Sequence, residues 1–276
     1  MPRRPPIAGG GPLEGMVVLV TRPREQAAEL VEMLAARGAV PLLAPAIRLE
    51  AAPVRPLDRA VRSLLGDEFE WVVFTSRMGV EALLERLRAR GARASEIRAR
   101  VAAVGDGTAG ALRDAGREPD LVPATYTTEA LATAMPRGSG RILLVRADIA
   151  PEGLESTIAA KGWAPVRVDA YRTRLSSRLP VAAARALEQG RVDAITLASA
   201  STVDGLMRMA GPILGSPGSR RAAAGSARGR PKVVCIGPVT ARAARLAGLH
   251  VDAVARPHTI EGLVRALERV VGKGSR

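Results

Sequence analysis

Three short sequence patterns occur twice in this chain, and the second copies follow the same order as the first. The apolar run Val17–Arg22 corresponds to Ile142–Ala147, about 125 residues later, and each run leads into a helix-like segment that ends in a basic residue and a glycine. The run Trp71–Ser76 corresponds in the same way to Ala194–Ser199.

The third pattern, Val101–Thr108, corresponds to Val233–Thr240. Each copy continues through an Ala-Gly pair to a Thr-x-Glu-x-Leu sequence, which begins at Thr127 in the first copy and at Thr259 in the second. Repeated patterns in a fixed order indicate a duplicated structural unit. The sequence therefore predicts two similar lobes that face one cleft.

Strand-like and helix-like segments alternate along the chain. The first unit predicts a strand at Val17–Thr21, a helix at about Arg24–Arg37 and a strand at Val40–Leu43, with Gly38 where the end of a helix favours positive φ. The other patterns continue this alternation. Strands that alternate with helices predict parallel sheets covered by helices on both faces, and therefore an α/β fold.

Four other segments depart from this alternation. Residues 44–50 and 166–173 alternate apolar and polar side chains with a period of two, which is typical of a thin two-stranded ribbon, and we regard them as candidate hinges. Residues 1–15 are rich in proline and glycine, so we expect a disordered N-terminal arm. The low-complexity stretch 211–231 predicts a mobile surface loop.

A length of 276 residues with 47% hydrophobic residues is sufficient for two cores. Since no apolar run reaches the roughly 18 residues that span a bilayer and no signal peptide is recognisable, we expect a cytoplasmic protein. The single cysteine, Cys235, lies within an apolar strand, where a buried hydrophobic role is expected. With only His250 and His258 as histidines, we predict no metal site.

The formal net charge of +14 raises the question of nucleic-acid binding. The 41 basic residues are nearly all arginines and are spread along helices, and the chain has only two each of Phe, Tyr and Trp to stack on bases. These observations disfavour a nucleic-acid site. They still predict a positive field that attracts a polyanion.

In parallel sheets, ligands bind at the carboxyl ends of strands, where the positive N-termini of helices point outward. Nine candidate binding residues lie between an apolar strand and a helix: Thr21, Arg22, Ser76, Gly105, Thr108, Arg146, Ser199, Gly237 and Thr240. Hydroxyls, guanidinium groups and backbone N–H groups suit carboxylates or phosphates. Any single Ser or Thr of this set could instead only cap its helix.

Other catalytic signatures are weak. The turn at Gly105 lacks the third glycine of a dinucleotide fingerprint, and no phosphate-binding P-loop motif occurs, so nucleotide binding is disfavoured. Tyr171, in the second candidate hinge, is one of few neutral groups able to donate a proton. The alternative, that Tyr171 packs against a lobe, stays open. Tyr126 is expected to be structural.

Taken together, these motifs resemble the uroporphyrinogen-III synthase family over about residues 16–270. The resemblance rests on Val-Thr-Arg-Pro (20–23), Phe-Thr-Ser (74–76), Val-Gly-x-x-Thr-Ala (104–109), Tyr-x-Thr (171–173), Ile-Gly-Pro-x-Thr-Ala (236–241) and Thr-x-Glu-Gly-Leu (259–263). This family is a cyclising hydro-lyase of tetrapyrrole biosynthesis, which leads to haem, sirohaem and cobalamin. It converts the linear tetrapyrrole hydroxymethylbilane to uroporphyrinogen III with loss of water and inversion of ring D.

The resemblance implies a lobe of residues 16–44 plus 175–276, a lobe of residues 52–166, and bridging strands at 45–51 and 167–174. It implies that Tyr171 assists departure of the substrate hydroxyl and that Ser76, Ser199 and Thr240 supply cleft hydroxyls. It also implies that no cofactor is required, because in this family the pyrrole nitrogens supply the electrons that expel the hydroxyl. The eight carboxylates of hydroxymethylbilane would account for the positive charge of the chain.

We expect a monomer and leave open a transient contact with the enzyme that supplies hydroxymethylbilane. The alternative is a non-catalytic two-lobed protein derived from the same fold, with an anion-binding, regulatory or nucleic-acid-binding role. Retention on DNA without isomer-forming activity would favour that alternative.

Overall fold

The computed structural model describes residues 11–215 and 229–272. Their contacts divide the chain into two units. Unit one comprises the described residues up to Arg48 and from Arg174 onward, and unit two comprises Leu49–Thr173. No helix in the described ranges is both long enough and apolar enough to cross a membrane.

Strands and helices alternate along most of the described chain. The first half contains β1 (Val17–Val20), α1 (Ala28–Ala35), β2 (Val40–Leu43), β3 (Ile47–Ala51), α2 (Val54–Leu65), β4 (Trp71–Phe74), α3 (Arg77–Arg88), β5 (Arg100–Ala103), α4 (Asp106–Asp114) and α5 (Thr128–Ala134). The second half contains β6 (Arg141–Ala147), α6 (Gly153–Ala159), β7 (Ala164–Leu175), α7 (Val181–Glu188), β8 (Ala194–Leu197), α8 (Ala200–Gly215), β9 (Lys232–Cys235), α9 (Pro238–Leu246), β10 (Ala253–Val254) and α10 (Ile260–Gly272).

These strands form two sheets within the described residues. One sheet has the order β10-β9-β8-β1-β2, with parallel neighbours throughout, so it joins the beginning of the chain to its end. The other has the order β3-β7-β6-β4-β5, and its pairs β7-β6, β6-β4 and β4-β5 are parallel. Parallel sheets with intervening helices confirm the predicted α/β fold class.

The duplication seen in the sequence is also present in the strand order, because β9-β8-β1-β2 corresponds to β5-β4-β6-β7. Details repeat as well. The N–H of Val101 at the start of β5 donates to the Asp120 carboxylate at 2.7 Å, and the N–H of Val233 in β9 donates to the Asp252 carboxylate at 2.9 Å. In both units, therefore, an aspartate carboxylate accepts a backbone hydrogen bond near the amino end of the corresponding strand.

Helices cover both faces of the sheet in unit one. Leu19 and Cys235 point into one hydrophobic cluster, whereas Val18, Val20 and Val234 point into another, as expected when successive strand residues face opposite sides. Cys235 is fully buried, which confirms its expected place in the core. Burial raises the pKa of the Cys235 thiol to about 11.

The predicted disordered arm over residues 1–15 does not hold for residues 11–15. Leu13 is fully buried in the cluster that includes Val18, and its N–H donates to the Arg37 carbonyl at 3.1 Å. The apolar side chain of Leu13 anchors this segment to the core. The Gly and Pro residues around it led to the prediction of disorder. Residues 1–10 lie outside the described residues.

The predicted loop over residues 211–231 does not hold at its start. Helix α8 continues through 211–215, with Pro212 inside the helix. Ile213 and Leu214 pack against a hydrophobic cluster of unit one, and this burial favours continuation of the helix. The remainder of the low-complexity stretch, 216–228, lies outside the described residues.

Two local details depart from the regular alternation of helices and strands. The predicted helix at Arg24–Arg37 is divided into a 3-10 turn at Arg24–Gln26 and the shorter α1. Leu121 forms a single isolated bridge to Ala102. Gly38, by contrast, has the positive φ of 84° that was expected.

Candidate active site

Most of the predicted binding residues lie at the carboxyl ends of neighbouring strands within each unit. In unit one, Arg22, Ser199 and Gly237 follow β1, β8 and β9, which are adjacent in the sheet. In unit two, Ser76 and Gly105 follow β4 and β5, which are also adjacent. Each unit therefore gathers hydroxyls and helix N-termini along one edge of its sheet.

Ser76 is the N-cap of α3. Its backbone is extended, and its Oγ accepts a hydrogen bond from the Gly79 N–H at 3.1 Å. Ser199 plays the same part for α8, where its Oγ accepts from the Thr202 N–H at 3.2 Å and its own N–H donates to Thr202 Oγ1 at 3.1 Å. Both serines are therefore helix caps, and because both are only partly buried, a ligand could still reach them.

Gly105 and Gly237 precede α4 and α9 with extended backbones, at φ 178° and −162°. The extended backbone does not itself require glycine at position 105. A side chain is disfavoured there because its Cβ would lie 2.7 Å from Cγ of Tyr126. Thr108 and Thr240 lie in the first turns of the same two helices and are buried, with 5% and 4% of their surface exposed. The hydroxyl groups of these two threonines form no hydrogen bond with residues in the described ranges.

Thr21 and Arg146 have structural partners and do not fit the predicted binding role. Thr21 is fully buried, and its Oγ1 donates to the Thr196 carbonyl at 2.7 Å. Arg146 is 2% exposed, and its Nη1 pairs with the Glu155 carboxylate at 2.6 Å and with the Pro151 carbonyl at 2.8 Å. A substrate cannot reach either side chain in this conformation.

Arg22 and Arg146 both keep a side-chain donor without a partner among the described residues, and Arg22 is the less buried of the two. The Nε of Arg22 is buried and has no hydrogen-bond partner among the described residues. Burial lowers the pKa of the Arg22 guanidinium from its usual value, and the Glu29 carboxylate acts in the opposite direction. A buried N–H donor without a partner is costly, so Arg22 is suited to bind an oxygen of a ligand.

Tyr171 lies on β7 beside an irregularity in the pairing with β6. Arg146 pairs with Asp169, whereas the next residue, Ala147, pairs with Tyr171, so Ala170 is an additional residue on β7. Such bulges re-aim side chains. Tyr171 is half-buried against the hydrophobic core of unit two, and its hydroxyl forms no hydrogen bond with any residue in the described ranges.

Sequence reasoning missed a contact between Tyr126 and Asp106. The Tyr126 hydroxyl donates to the Asp106 carboxylate, and the ring covers Gly105. The hydrogen bond to Asp106, with a smaller contribution from burial, raises the pKa of the Tyr126 phenol. The rarity of tyrosine in this chain was a usable signal, but nothing in the sequence pairs Tyr126 with a residue 20 positions earlier.

Comparison with known proteins gives consistent results. A model of the family "Uroporphyrinogen-III synthase HemD" matches residues 28–265. A curated uroporphyrinogen-III synthase of Synechococcus elongatus is 29% identical over 264 residues, which cover 94% of this chain and 96% of that protein. A porphyrin biosynthesis protein HemD of Ruminiclostridium josui is 29% identical over 266 residues, which cover 95% of this chain and 50% of that longer protein.

Among solved structures, a mutant uroporphyrinogen III synthase from Thermus thermophilus superposes with a TM-score of 0.67 at 25% identity. The superposition covers 94% of this chain and all of that one. The sequence match and the structural match thus extend over nearly the whole chain. The chain belongs to the uroporphyrinogen-III synthase family.

Proposed function

We propose that this protein is a uroporphyrinogen-III synthase, which converts hydroxymethylbilane to uroporphyrinogen III. The family match over residues 28–265 is the observation that carries this proposal. The carboxyl edges of the two sheets support it, since each offers hydroxyls and helix N-termini suited to the carboxylates of such a substrate. No observation favours the non-catalytic alternative.

The chemistry begins with loss of the substrate hydroxyl. The lone pair of the adjacent pyrrole nitrogen expels the hydroxyl as the C–O bond breaks, and one proton must reach the departing oxygen so that water leaves. We assign this proton transfer to Tyr171, whose hydroxyl has no competing partner among the described residues. The resulting electrophilic carbon is attacked by the substituted α-carbon of ring D, which gives a spiro intermediate. The bond from that α-carbon to its original methylene bridge then breaks, and the freed methylene bonds to the other α-carbon of ring D, so that the ring is inverted.

The final step restores the aromatic pyrrole by loss of a proton, which the phenolate of Tyr171 can take back. Since closure without inversion gives the symmetric type I isomer, the main task of the protein is to hold the flexible chain in one geometry. We assign binding of the carboxylates to Arg22, Ser76, Ser199, and the helix N-termini that begin after Gly105 and Gly237, with Thr108 and Thr240 in their first turns.

The test is an isomer assay. Purified protein is incubated with hydroxymethylbilane, the porphyrinogens are oxidised, and the type I and type III isomers are separated by chromatography. We expect mostly type III with protein and mostly type I in a protein-free control. A product that stays mostly type I with folded protein present would refute the proposed function.

A further inference from the structure

A pocket of about 350 Å³ lies in unit one beside the carboxyl ends of β1 and β2. All of its lining residues belong to that unit. Three arginines line it, Arg24, Arg48 and Arg178, together with Ser176 and Ser177. Its volume is at the lower end of the range for small-molecule sites, so it can hold part of a large ligand.

The three arginines have no carboxylate partner within the described ranges, and their guanidinium groups form no hydrogen bonds there. Glu25 is the acidic residue of the lining, so three arginines and one glutamate give the pocket a net charge of +2. By contrast, Arg37 of the same unit pairs with Glu268 at 2.5 Å.

The walls of the pocket are tied together by the backbone. The N–H of Ser176 donates to the Ala46 carbonyl at 2.9 Å, which joins the segment after β7 to the segment after β2. Arg48 and Arg178 each lie two residues from one end of this hydrogen bond. Their backbone positions are therefore fixed before a ligand arrives, which lowers the entropic cost of binding.

Several guanidinium groups around one pocket repel one another unless an anion lies between them. Their planar N–H pairs match the two oxygens of a carboxylate. We propose that Arg24, Arg48 and Arg178 form a carboxylate-binding subsite that holds acetate and propionate groups of the tetrapyrrole. This proposal rests on the proposed function and adds residues to it that no shared motif contains.

The decisive comparison uses two double variants with the same change of charge. Arg48→Gln with Arg178→Gln removes two pocket arginines. Arg185→Gln with Arg191→Gln is the control, because both residues are exposed, belong to unit one and lie outside the pocket. Circular dichroism and thermal unfolding establish that both variants are folded.

We expect the pocket variant to raise KM for hydroxymethylbilane by about tenfold or more, with kcat changed less than about threefold, because charged hydrogen bonds are lost from binding and not from the reacting atoms. In a separate titration, the Kd for uroporphyrin III should rise by a similar factor. The control should stay within about twofold of wild type in both measurements.

The two proposals fail in different ways. If wild type forms type III isomer while the pocket variant keeps wild-type KM and uroporphyrin affinity, the subsite is refuted and the function stands. If wild type forms only type I isomer, the function fails, and weaker uroporphyrin binding by the pocket variant alone would still support an anion subsite. Tighter binding of inorganic phosphate than of uroporphyrin III would overturn the assignment to carboxylates.

Discussion

The phenol of Tyr126 donates a hydrogen bond to the Asp106 carboxylate while its ring covers Gly105. Because the neutral phenol is the donor, the hydrogen bond raises the pKa of Tyr126 above its usual value near 10. Tyr126 and Tyr171 are the two tyrosines of the chain, so Tyr171→Phe leaves Tyr126 as the single tyrosine for an ultraviolet titration. We expect its midpoint above that of free tyrosine, and a lower midpoint after Asp106→Asn.

The raised pKa of Tyr126 also determines how the stability of the fold changes with pH. A group that holds its proton more tightly in the folded state stabilises the fold fully below its unfolded pKa. This contribution is lost as the pH rises through the folded pKa of Tyr126. If Asp106→Asn leaves the midpoint of Tyr126 unchanged, the hydrogen bond is not formed in solution.

Tyr171→Phe tests the assigned proton donor. We expect kcat to fall by about tenfold or more, because the departing hydroxyl loses its general acid. Tyr126→Phe is the matched control, since it removes the same atom from a phenol that is already engaged with Asp106. The measurement is steady-state turnover of hydroxymethylbilane. Equal rates for Tyr171→Phe and wild type would leave Tyr171 with a packing role only.

Substitution of Ser76 separates helix capping from substrate binding. Ser76→Ala should lower the free energy of unfolding by about 1 kcal/mol, because the Gly79 N–H loses its acceptor. Ser76→Asn keeps an N-cap acceptor and should be close to wild type in urea unfolding. A lower kcat/KM for both variants indicates a contact with substrate, whereas wild-type kinetics for the Asn variant would show that Ser76 is only a cap.

Cys235 should be inert to thiol reagents in the folded protein. It is fully buried, and burial raises its pKa to about 11, so little reactive thiolate exists at pH 8. Reaction with Ellman's reagent should follow the urea unfolding curve. The protonated thiol stabilises the fold below its ordinary pKa near 9, and this contribution is lost as the pH rises through about 11. Rapid labelling without denaturant would contradict the buried position.

Leu13→Ala tests the anchor of residues 11–15. We expect a loss of about 2–5 kcal/mol in the free energy of unfolding, since Leu13 is fully buried in the core of unit one. Leu246→Ala is the control, because Leu246 is 80% exposed on α9 and should change stability by less than about 0.5 kcal/mol. Similar small effects for the two variants would mean that the segment does not pack in solution.

The sequence was sufficient to predict the fold class, because apolar strands, glycine-terminated helices and repeated motifs all agree with one architecture. Sequence position predicts that a residue follows a strand, but not which way its side chain points. The Thr21 side chain is buried and donates to the Thr196 carbonyl, and Arg146 forms an ion pair with Glu155 on the following helix. The pocket arginines come from a 3-10 turn, from strand β3 and from the segment after β7, and only the three-dimensional structure brings Arg24 and Arg178 to one cavity.

Strand order has a consequence for the synthesis of this protein. Strand β1 pairs with β8, so the sheet of unit one cannot be completed until Ala194–Leu197 has been translated. Unit two is one continuous stretch, Leu49–Thr173, and it can acquire its core while the rest of the chain is still on the ribosome. Strand β1 can pair with β2 early, but its other edge stays unpaired until β8 is made, which exposes that edge to aggregation or chaperone binding during translation.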